Sequence, residues 1–412
     1  MATKKLKVGN VPNLRFPGFE GDWEVKKLEE VAQIGRGKSK HRPRDAEFLF
    51  GGKYPFVQTG DIRKADLYLT KFTQTYSELG LKQSKLWNEN TLCITIAANI
   101  AETAILKIKA CFPDSIIGLI PKEDKTIVLF VKHLFDKFKI QIQSLSQGAA
   151  QDNLNQEKLS KIKFVFPSLP EQIKIASFLS LIDERIQTQS KIIGELKLLK
   201  SSVVKKFFEN KLRFKNRDSN SNWERKKLGE ISKEHLHKNR NNQYLEVFSV
   251  SKHKGVINQI EHLGRSFSAK EIMHYKLVYN GDLVYTKSPT SEFPFGIIKQ
   301  NRTGRVGVVS PLYCVFTPKT FALGYLLHEY FNSPVNTFNY LNPLVQKGAK
   351  NTMNINNDTF LNGAKLLLPT NEKEQDKIYN ILSLINNKIE VENLLLTQYE
   401  NQKKYLLQNL FI

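Results

Sequence analysis

The residues of this sequence best suited to binding chemistry are cations. The densest cluster lies between Arg36 and Arg44, where five basic residues alternate with small or cyclic ones and no acid intervenes. A loop of this kind, interrupted by glycine and proline, can lie against phosphates while its arginines reach guanine edges. A solvated surface loop is the competing interpretation. In the second half of the chain the basic residues are more dispersed. We predict contacts to nucleic acid from Arg36, Lys38, Lys40, Arg42, Arg44, Lys238, Arg240, Lys252, Lys254, Lys287, Lys347 and Lys350.

One acidic pattern offers an enzymatic alternative. Pro113-Asp114, followed by Glu123 and Lys125, matches a short nuclease motif in which two carboxylates and a lysine hold Mg²⁺ and orient a water. The pattern has no counterpart in the other half of the chain. The histidines and the three cysteines show no metal-ligand spacing. We therefore expect no cofactor and no metal, and keep a magnesium-dependent nuclease as an alternative.

The net charge supports a polyanionic partner. The 412 residues include 62 Lys and Arg against 40 Asp and Glu, which gives a formal charge of +22. Nucleic acid is the leading partner for such a chain, and a membrane surface is a weaker one because no helix has a basic face opposite an aromatic one. No apolar run approaches the ~20 residues that cross a bilayer. With no apolar block after the first lysines, and with isolated cysteines, we expect a cytoplasmic protein.

The elements that must position these cations occur twice. Residues 176–208 align without a gap onto residues 379–411, and Leu-Ser-Leu-Ile is identical at 179–182 and 382–385. Apolar residues recur at intervals of three and four, the signature of a helix with one narrow apolar seam. Polar interruptions at Gln189 and Lys200 match Glu392 and Lys403 at the same offset. The predicted seam consists of Leu179, Ile182, Ile186, Ile193, Leu196, Val203, Leu382, Ile385, Ile389, Leu396, Tyr399 and Leu406.

Such seams are unstable alone in water, so we predict that the two helices pair, and that they pair antiparallel. Two unrelated amphipathic core helices are the alternative, which the shared interruptions disfavour. An antiparallel pair gives an internal pseudo-two-fold repeat, suited to duplex DNA, whose half-sites dimeric readers contact about one turn, ~34 Å, apart.

Each long helix follows a globular region, and the ends of these regions also repeat. Trp-Glu-x-Lys-Lys-Leu occurs at 23–28 and 223–228, and a Gly-Ala turn with Asn-rich sequence follows residues 147 and 347. The interiors do not align; short strands broken by turn residues accompany predicted helices at 127–145 and 321–341. The fold class is therefore α+β, with two mixed α/β domains separated by two long helices paired as an antiparallel coiled coil. The predicted boundaries are 1–170 and 212–370 for the domains, and 171–211 and 371–412 for the helices.

These repeated features resemble the specificity subunit of type I restriction-modification enzymes. The resemblance covers essentially the whole chain. It rests on Leu-Arg-Phe at 14–16 and 212–214, the Trp-Glu-x-Lys-Lys-Leu openings, the Gly-Ala turns, and the Pro-x-x-Glu-Gln helix starts at 167–172 and 369–375. Two departures are the inserted residues 371–373 and Asn386-Asn387, which replace Asp183-Glu184.

The resemblance implies two target recognition domains, each reading one half of an asymmetric bipartite site in double-stranded DNA, with the helices setting the spacing. It also implies assembly with methyltransferase and restriction subunits, and no catalysis by this chain. A coiled-coil adaptor, whose charge serves protein or membrane contacts, remains a second alternative to this function.

Overall fold

The fold is described from a computed structural model that covers residues 9–97, 99–144, 154–214, 223–266, 268, 271–347 and 353–412. The chain divides into two compact units. Unit 1 contains Met1–Ile193 together with Glu392–Ile412, and unit 2 contains Gly194–Val391. Each long helix therefore contributes one part to each unit.

The first half of the chain is built from short strands and helices before the first long helix. Its helices are α1 (Leu28–Val31), α2 (Thr59–Lys64), α3 (Glu78–Lys82), α4 (Val128–Ser144), α5 (Gln156–Lys161) and α6 (Leu169–Phe208). Its strands are β1 (Glu24–Lys27), β2 (Ala32–Arg36), β3 (Phe50–Phe56), β4 (Tyr68–Leu69), β5 (Gln74–Tyr76), β6 (Leu86–Trp87), β7 (Leu92–Thr95), β8 (Thr103–Leu106), β9 (Ala110–Cys111), β10 (Ile116–Pro121) and β11 (Lys163–Phe166).

Two sheets form the body of unit 1. One has the order β2-β10-β7-β8-β4, and the other has the order β5-β3-β9-β6. Strands β7 and β8 are buried along their whole length, which accounts for their continuous apolar and threonine sequence. The opening strand β1 pairs antiparallel with β11, the strand before the long helix. This pairing brings the two ends of the globular region together.

The second half repeats this plan with different interior elements. Its helices are α7 (Leu228–Ile231), α8 (Gln259–Leu263), α9 (Phe321–Phe331), α10 (Pro334–Leu341), α11 (Asn357–Asn362) and α12 (Glu372–Leu410). Its strands are β12 (Trp223–Lys227), β13 (Ser232–Glu234), β14 (Phe248–Ser251), β15 (Gly255–Asn258), β16 (Lys276–Val278), β17 (Leu283–Tyr285), β18 (Ile298–Gln300), β19 (Gly307–Val309), β20 (Cys314–Pro318), β21 (Gln346–Lys347), β22 (Met353–Asn354) and β23 (Lys365–Pro369). The β12–β23 pair corresponds to β1–β11, and the main sheet has the order β13-β20-β17-β18.

The long helices pack antiparallel, as predicted. Within unit 1, Asp183 of α6 contacts Lys403 of α12, whereas Gln189, further along α6, contacts Glu392, earlier in α12. Their apolar residues join the core of the globular region, with α4 among the contacts. In unit 2 the end of α6 meets the start of α12 in a cluster that contains Val204, Phe207, Ile378 and Leu382 with residues of α9. The predicted fold class is thus confirmed.

The prediction of one helix over 321–341 is wrong. The helix ends at Phe331, and a second begins at Pro334 with Ser333 as its N-cap, whose side chain accepts from the Asn336 amide. Proline lacks an N–H and clashes with the preceding turn, so it starts a helix more readily than it continues one.

The Asn-rich turns have structural roles where they are described. Asn155 caps α5, accepting from the Lys158 amide at 2.8 Å, and Asn356 caps α11, accepting from the Thr359 amide at 2.7 Å. The Gly-Ala turns at 148–149 and 348–349 lie outside the described residues.

Candidate nucleic-acid interface

In unit 1 the predicted basic cluster forms a loop that leaves β2. The loop is fixed at its start because the Gly37 amide donates to the Ile116 carbonyl at 2.9 Å and the Lys38 amide donates to the Phe112 carbonyl at 3.1 Å. A Cβ on Gly37 would lie 2.2 Å from the Pro113 carbonyl oxygen, so only glycine permits this approach. The side chains of Lys38 and Lys40 are exposed. The segment is therefore an ordered basic loop.

The three arginines of this loop are exposed but already hydrogen-bonded within unit 1. Arg36 donates through Nε to the Asp114 carbonyl at 2.5 Å, and Arg44 pairs with the Asp114 carboxylate at 2.7 Å. Arg42 donates to the Ser39 and His41 carbonyls, both at 2.8 Å. A guanidinium has five N–H donors. Each arginine therefore retains N–H donors for a phosphate, while its contacts within unit 1 already orient its guanidinium group.

The structure places the predicted cations of unit 2 on separate segments. Lys238 and Arg240 are exposed beside a 3-10 turn, and Lys254 is exposed in the β14–β15 hairpin. Lys252, in the same hairpin, pairs with Glu292. These cations line no single loop comparable to residues 36–44.

Lys287 has an unusual backbone. Its φ is 58°, a left-handed conformation that costs a non-glycine residue of order 1 kcal/mol or more and is common at functional sites. Burial lowers the pKa of this half-buried lysine. Lys347 contributes its backbone to β21, while its side chain and the whole of Lys350 lie outside the described residues.

The predicted nuclease residues do not converge. Asp114 lies before β10 and Glu123 after it, and a six-residue strand separates them by roughly 20 Å at about 3.3 Å per residue. Asp114 instead pairs with Arg44, while Glu123 and Lys125 are exposed in the turn after β10. In the part of the chain that the structure describes, no group of three or more His, Cys, Asp or Glu residues is placed to hold a metal. The nuclease alternative thus receives no support from geometry.

All twelve predicted seam residues are buried or half-buried in their units. The matched polar interruptions have partners that are buried or half-buried. Gln189 donates to the Glu392 carbonyl at 3.0 Å and to its carboxylate. Lys403 pairs with Asp183 at 2.7 Å and with Asp136 of α4 at 3.2 Å, while Lys200 in unit 2 pairs with Glu329 of α9 at 2.8 Å. In each unit, a lysine of a long helix is thus bound to an acid of the globular region.

These pairs shift the protonation equilibria of their members. Burial opposes the charge on Lys403, but Asp136 and Asp183 outweigh it and raise its pKa. Burial likewise opposes ionisation of Asp136, yet Lys132, His133 and Lys403 hold the pKa of that carboxyl far below its usual range. Both groups therefore stay charged at neutral pH, and the ion pair persists.

The repeated Glu-Gln dipeptide at the helix starts has a role that sequence reasoning missed. Gln172 donates to the Pro167 carbonyl at 3.0 Å and accepts from the Thr126 hydroxyl at 2.7 Å. Gln375 makes the equivalent contacts in unit 2, to the Pro369 carbonyl at 2.9 Å and from the Thr320 hydroxyl at 2.7 Å. Both glutamines are buried. The signal was the repetition of Glu-Gln shortly after a proline, with Gln172 five residues after Pro167 and Gln375 six residues after Pro369.

The two α/β units share one arrangement, in which paired strands lead into a long helix, and each unit carries exposed cations. Comparison with known proteins identifies a similarity in the first half of the chain. Residues 20–198 match the family model described as "Type I restriction modification DNA specificity domain". Over these residues the chain is similar to the DNA specificity domain of type I restriction-modification systems.

Among its relatives, the type I restriction enzyme MjaIX specificity subunit of Methanocaldococcus jannaschii is 25% identical over 56% of this chain and 54% of its own length. The MjaVIII specificity subunit of the same organism is 27% identical over 45% of this chain and 42% of its own. The chain thus spans about half the length of these curated relatives. Among solved structures, the type I restriction-modification S subunit from M. genitalium matches 98% of this chain and 99% of its own, with a TM-score of 0.59 at 15% identity. At that identity the match shows the fold alone.

Proposed function

We propose that this chain is the DNA-binding specificity subunit of a type I restriction-modification complex. Each unit reads one half of an asymmetric bipartite target in double-stranded DNA, and the paired helices set the spacing between the halves. The chain itself is non-catalytic and works in the cytoplasm, where it directs methyltransferase and restriction subunits. The observation that carries the proposal is a duplicated frame that holds two unlike α/β interiors, with an ordered basic loop in unit 1 and dispersed exposed cations in unit 2.

The frame is the same in both units at the level of single contacts. Gln172 and Gln375 join each long helix to its own globular region in the same way, and Lys403 and Lys200 form the matched ion pairs. The interiors differ: unit 1 has a five-stranded and a four-stranded sheet, whereas the largest sheet described in unit 2 has four strands. Repeated contacts between each long helix and its globular region, combined with different sheets in the two units, suit a protein that recognises two different half-sites.

The charge of the chain favours a nucleic-acid partner. A formal charge of +22 creates a potential that attracts a polyanion, and the ordered loop at 36–44 concentrates this charge. Because the arginines of the loop are already oriented, binding requires little further ordering of their side chains.

The outward faces of the long helices offer a surface for the partner subunits. Leu181 and Leu394, in unit 1, and Leu198, Leu199 and Leu384, in unit 2, are large apolar residues exposed on these helices. Exposed apolar residues that form a continuous patch mark protein–protein contact sites. We assign this surface to the methyltransferase subunits.

Duplex binding by the full chain tests the proposal. We expect selection from a randomised duplex library to enrich a split, asymmetric motif, and the affinity to fall as salt rises because phosphate contacts release counterions. Affinity that is independent of salt, with no enriched motif, would favour a coiled-coil adaptor. Cleavage of plasmid by the purified chain with Mg²⁺ would favour a nuclease.

Co-expression with the methyltransferase subunits tests the second part of the proposal. Sequencing of modified bases in such cells should reveal methylation at the same split motif. Absence of methylation there, together with normal duplex binding, would contradict the assignment of partners but not that of DNA recognition.

A further inference from the structure

Two glutamine side chains form a pair at the edge of a cavity in unit 1. Gln58 lies just before α2 and Gln74 begins β5, and the Gln58 Nε2 donates to the Gln74 Oε1 at 2.5 Å. Both line an open cavity of about 650 Å³, which Arg44 of the basic loop also lines. The amide pair thus shares this cavity with one cation of the basic loop, Arg44, and with the acids Asp45 and Glu47.

A buried carboxylate holds the two segments that carry this pair. Asp61 is only 7% exposed, and its Oδ2 accepts both from the Gln58 amide at 3.0 Å and from the Thr73 hydroxyl at 3.3 Å. Thr73 directly precedes Gln74. One buried acid therefore fixes the backbone positions of both glutamines, and a site held in this way loses less freedom on binding.

The pair leaves one acceptor and one donor directed to other partners. The hydrogen bond between the two amides engages Gln58 Nε2 and Gln74 Oε1. An amide oxygen has two lone pairs and an amide nitrogen has two N–H groups, so Gln58 Oε1 and Gln74 Nε2 have capacity for a further partner. Gln58 is half-buried, Gln74 is exposed, and both residues line the open cavity. The pair therefore carries one amide acceptor and one amide donor that can bind a further partner.

Only one base matches this combination in the major groove. Adenine offers the N6 amino donor beside the N7 acceptor, whereas guanine offers two acceptors, cytosine a donor and thymine an acceptor with a methyl group. We propose that Gln58 and Gln74 determine specificity in unit 1 by reading an adenine of the first half-site: Gln74 Nε2 donates to N7, and Gln58 Oε1 accepts from N6. This inference rests on the proposed function.

The arginines of the neighbouring loop then have a different task. Arg44 is bound to Asp114, and Arg42 to carbonyls of its own loop. Because these contacts direct them within the protein, they hold the phosphate backbone while the glutamines contact the base. Phosphate contacts position a protein on DNA, and base contacts specify the sequence.

The sharpest test replaces one donor by an acceptor. In the Gln74→Glu variant, Gln58 Nε2 can donate to a carboxylate oxygen in place of the amide oxygen, so the contact between the two side chains persists. The pair then presents only hydrogen-bond acceptors to a base. Selection of randomised duplexes by the full chain should show adenine replaced by cytosine at one position of one half-site, since a carboxylate accepts from the cytosine N4. Gln58→Leu should lower the adenine preference at the same position by about 5- to 150-fold, the range of a lost base contact.

Gln141→Leu is the matched control, because Gln141 is an exposed glutamine of α4 in the same unit and does not line the cavity. It should leave every position of the motif unchanged. A split motif that Gln74→Glu and Gln58→Leu leave unaltered would overturn this inference while the proposed function stands. Failure of the unmodified chain to enrich any duplex would overturn both.

Discussion

Replacement of Lys403 by methionine should destabilise unit 1 more than any neighbouring surface change. Lys403 is the ion-pair partner of Asp183 and Asp136, with side chains that are 21%, 13% and 19% exposed. Removal of one member of a buried pair costs about 3–5 kcal/mol, because a charge is left without a partner. These side chains retain some solvent, and Lys132 still pairs with Asp136, so about 2–3 kcal/mol of unfolding free energy is the expected loss.

Thermal unfolding of the full chain measures this loss. At about 2–4 °C per kcal/mol for a unit of 150–250 residues, the melting temperature of unit 1 should fall by roughly 4–12 °C. Hydrogen exchange of residues 169–193 would assign the transition to this unit. Lys404→Met is the control, because Lys404 is exposed and adjoins Lys403 in α12; its effect should stay within about 0.5 kcal/mol.

The same variant makes a prediction about pH. The pKa of Asp136 is depressed in the folded protein. The contribution of this carboxylate to the free energy of unfolding is therefore fully present above the unfolded-state pKa of about 3.9, and it is lost as the pH falls below that value. The difference between Lys403→Met and the unmodified chain should therefore be full at pH 7 and shrink below about pH 4. Equal melting temperatures for the two lysine variants at pH 7, or a difference that grows on acidification, would refute the ion-pair argument.

Three further predictions concern unit 2, the basic loop and the division of the target. Burial lowers the pKa of His328 to about 3, and its Nδ1 accepts from the Gln300 amide at 3.1 Å, so the folded state requires the neutral ring. Stability should therefore fall with pH below about 6.5, by up to about 1.4 kcal/mol per pH unit, and His328→Gln should flatten this dependence in acid titrations followed by circular dichroism. Arg42→Ala and Arg44→Ala should weaken binding about equally for all duplexes if these residues hold phosphates, whereas altered base choice in one half-site would show base contact. Exchange of residues 13–170 for the corresponding domain of another specificity subunit should change one half of the selected motif, and a change in both halves would contradict independent reading.

The long helices could be predicted because their information is local and repeated. Intervals of three and four between apolar residues follow from the helical period itself, and the interruptions at Gln189 and Lys200, matched by Glu392 and Lys403, indicated that the two seams correspond. The opening and closing segments of each unit were predictable for the same reason. Pro334 is also a local signal: a proline favours the first turn of a new helix, although a single helix over 321–341 was predicted.

Less of the candidate site than of the long helices could be predicted from the sequence. The basic loop at 36–44 is visible as a cluster of letters, but its pairing with Asp114 joins residues about 70 positions apart. The carboxylate of Asp61, which holds Gln58 and Thr73, likewise has no sequence pattern that announces it.

By itself, therefore, the sequence determined the duplicated frame, the antiparallel helices and the basic character of this protein, because periodicity, repetition and charge are written along the chain. Only the tertiary structure decided which cations are held by acids of their own unit and which amides face outward. Those pairings depend on the packing of segments distant in sequence, where a hydrogen bond forms or fails within a few tenths of an ångström.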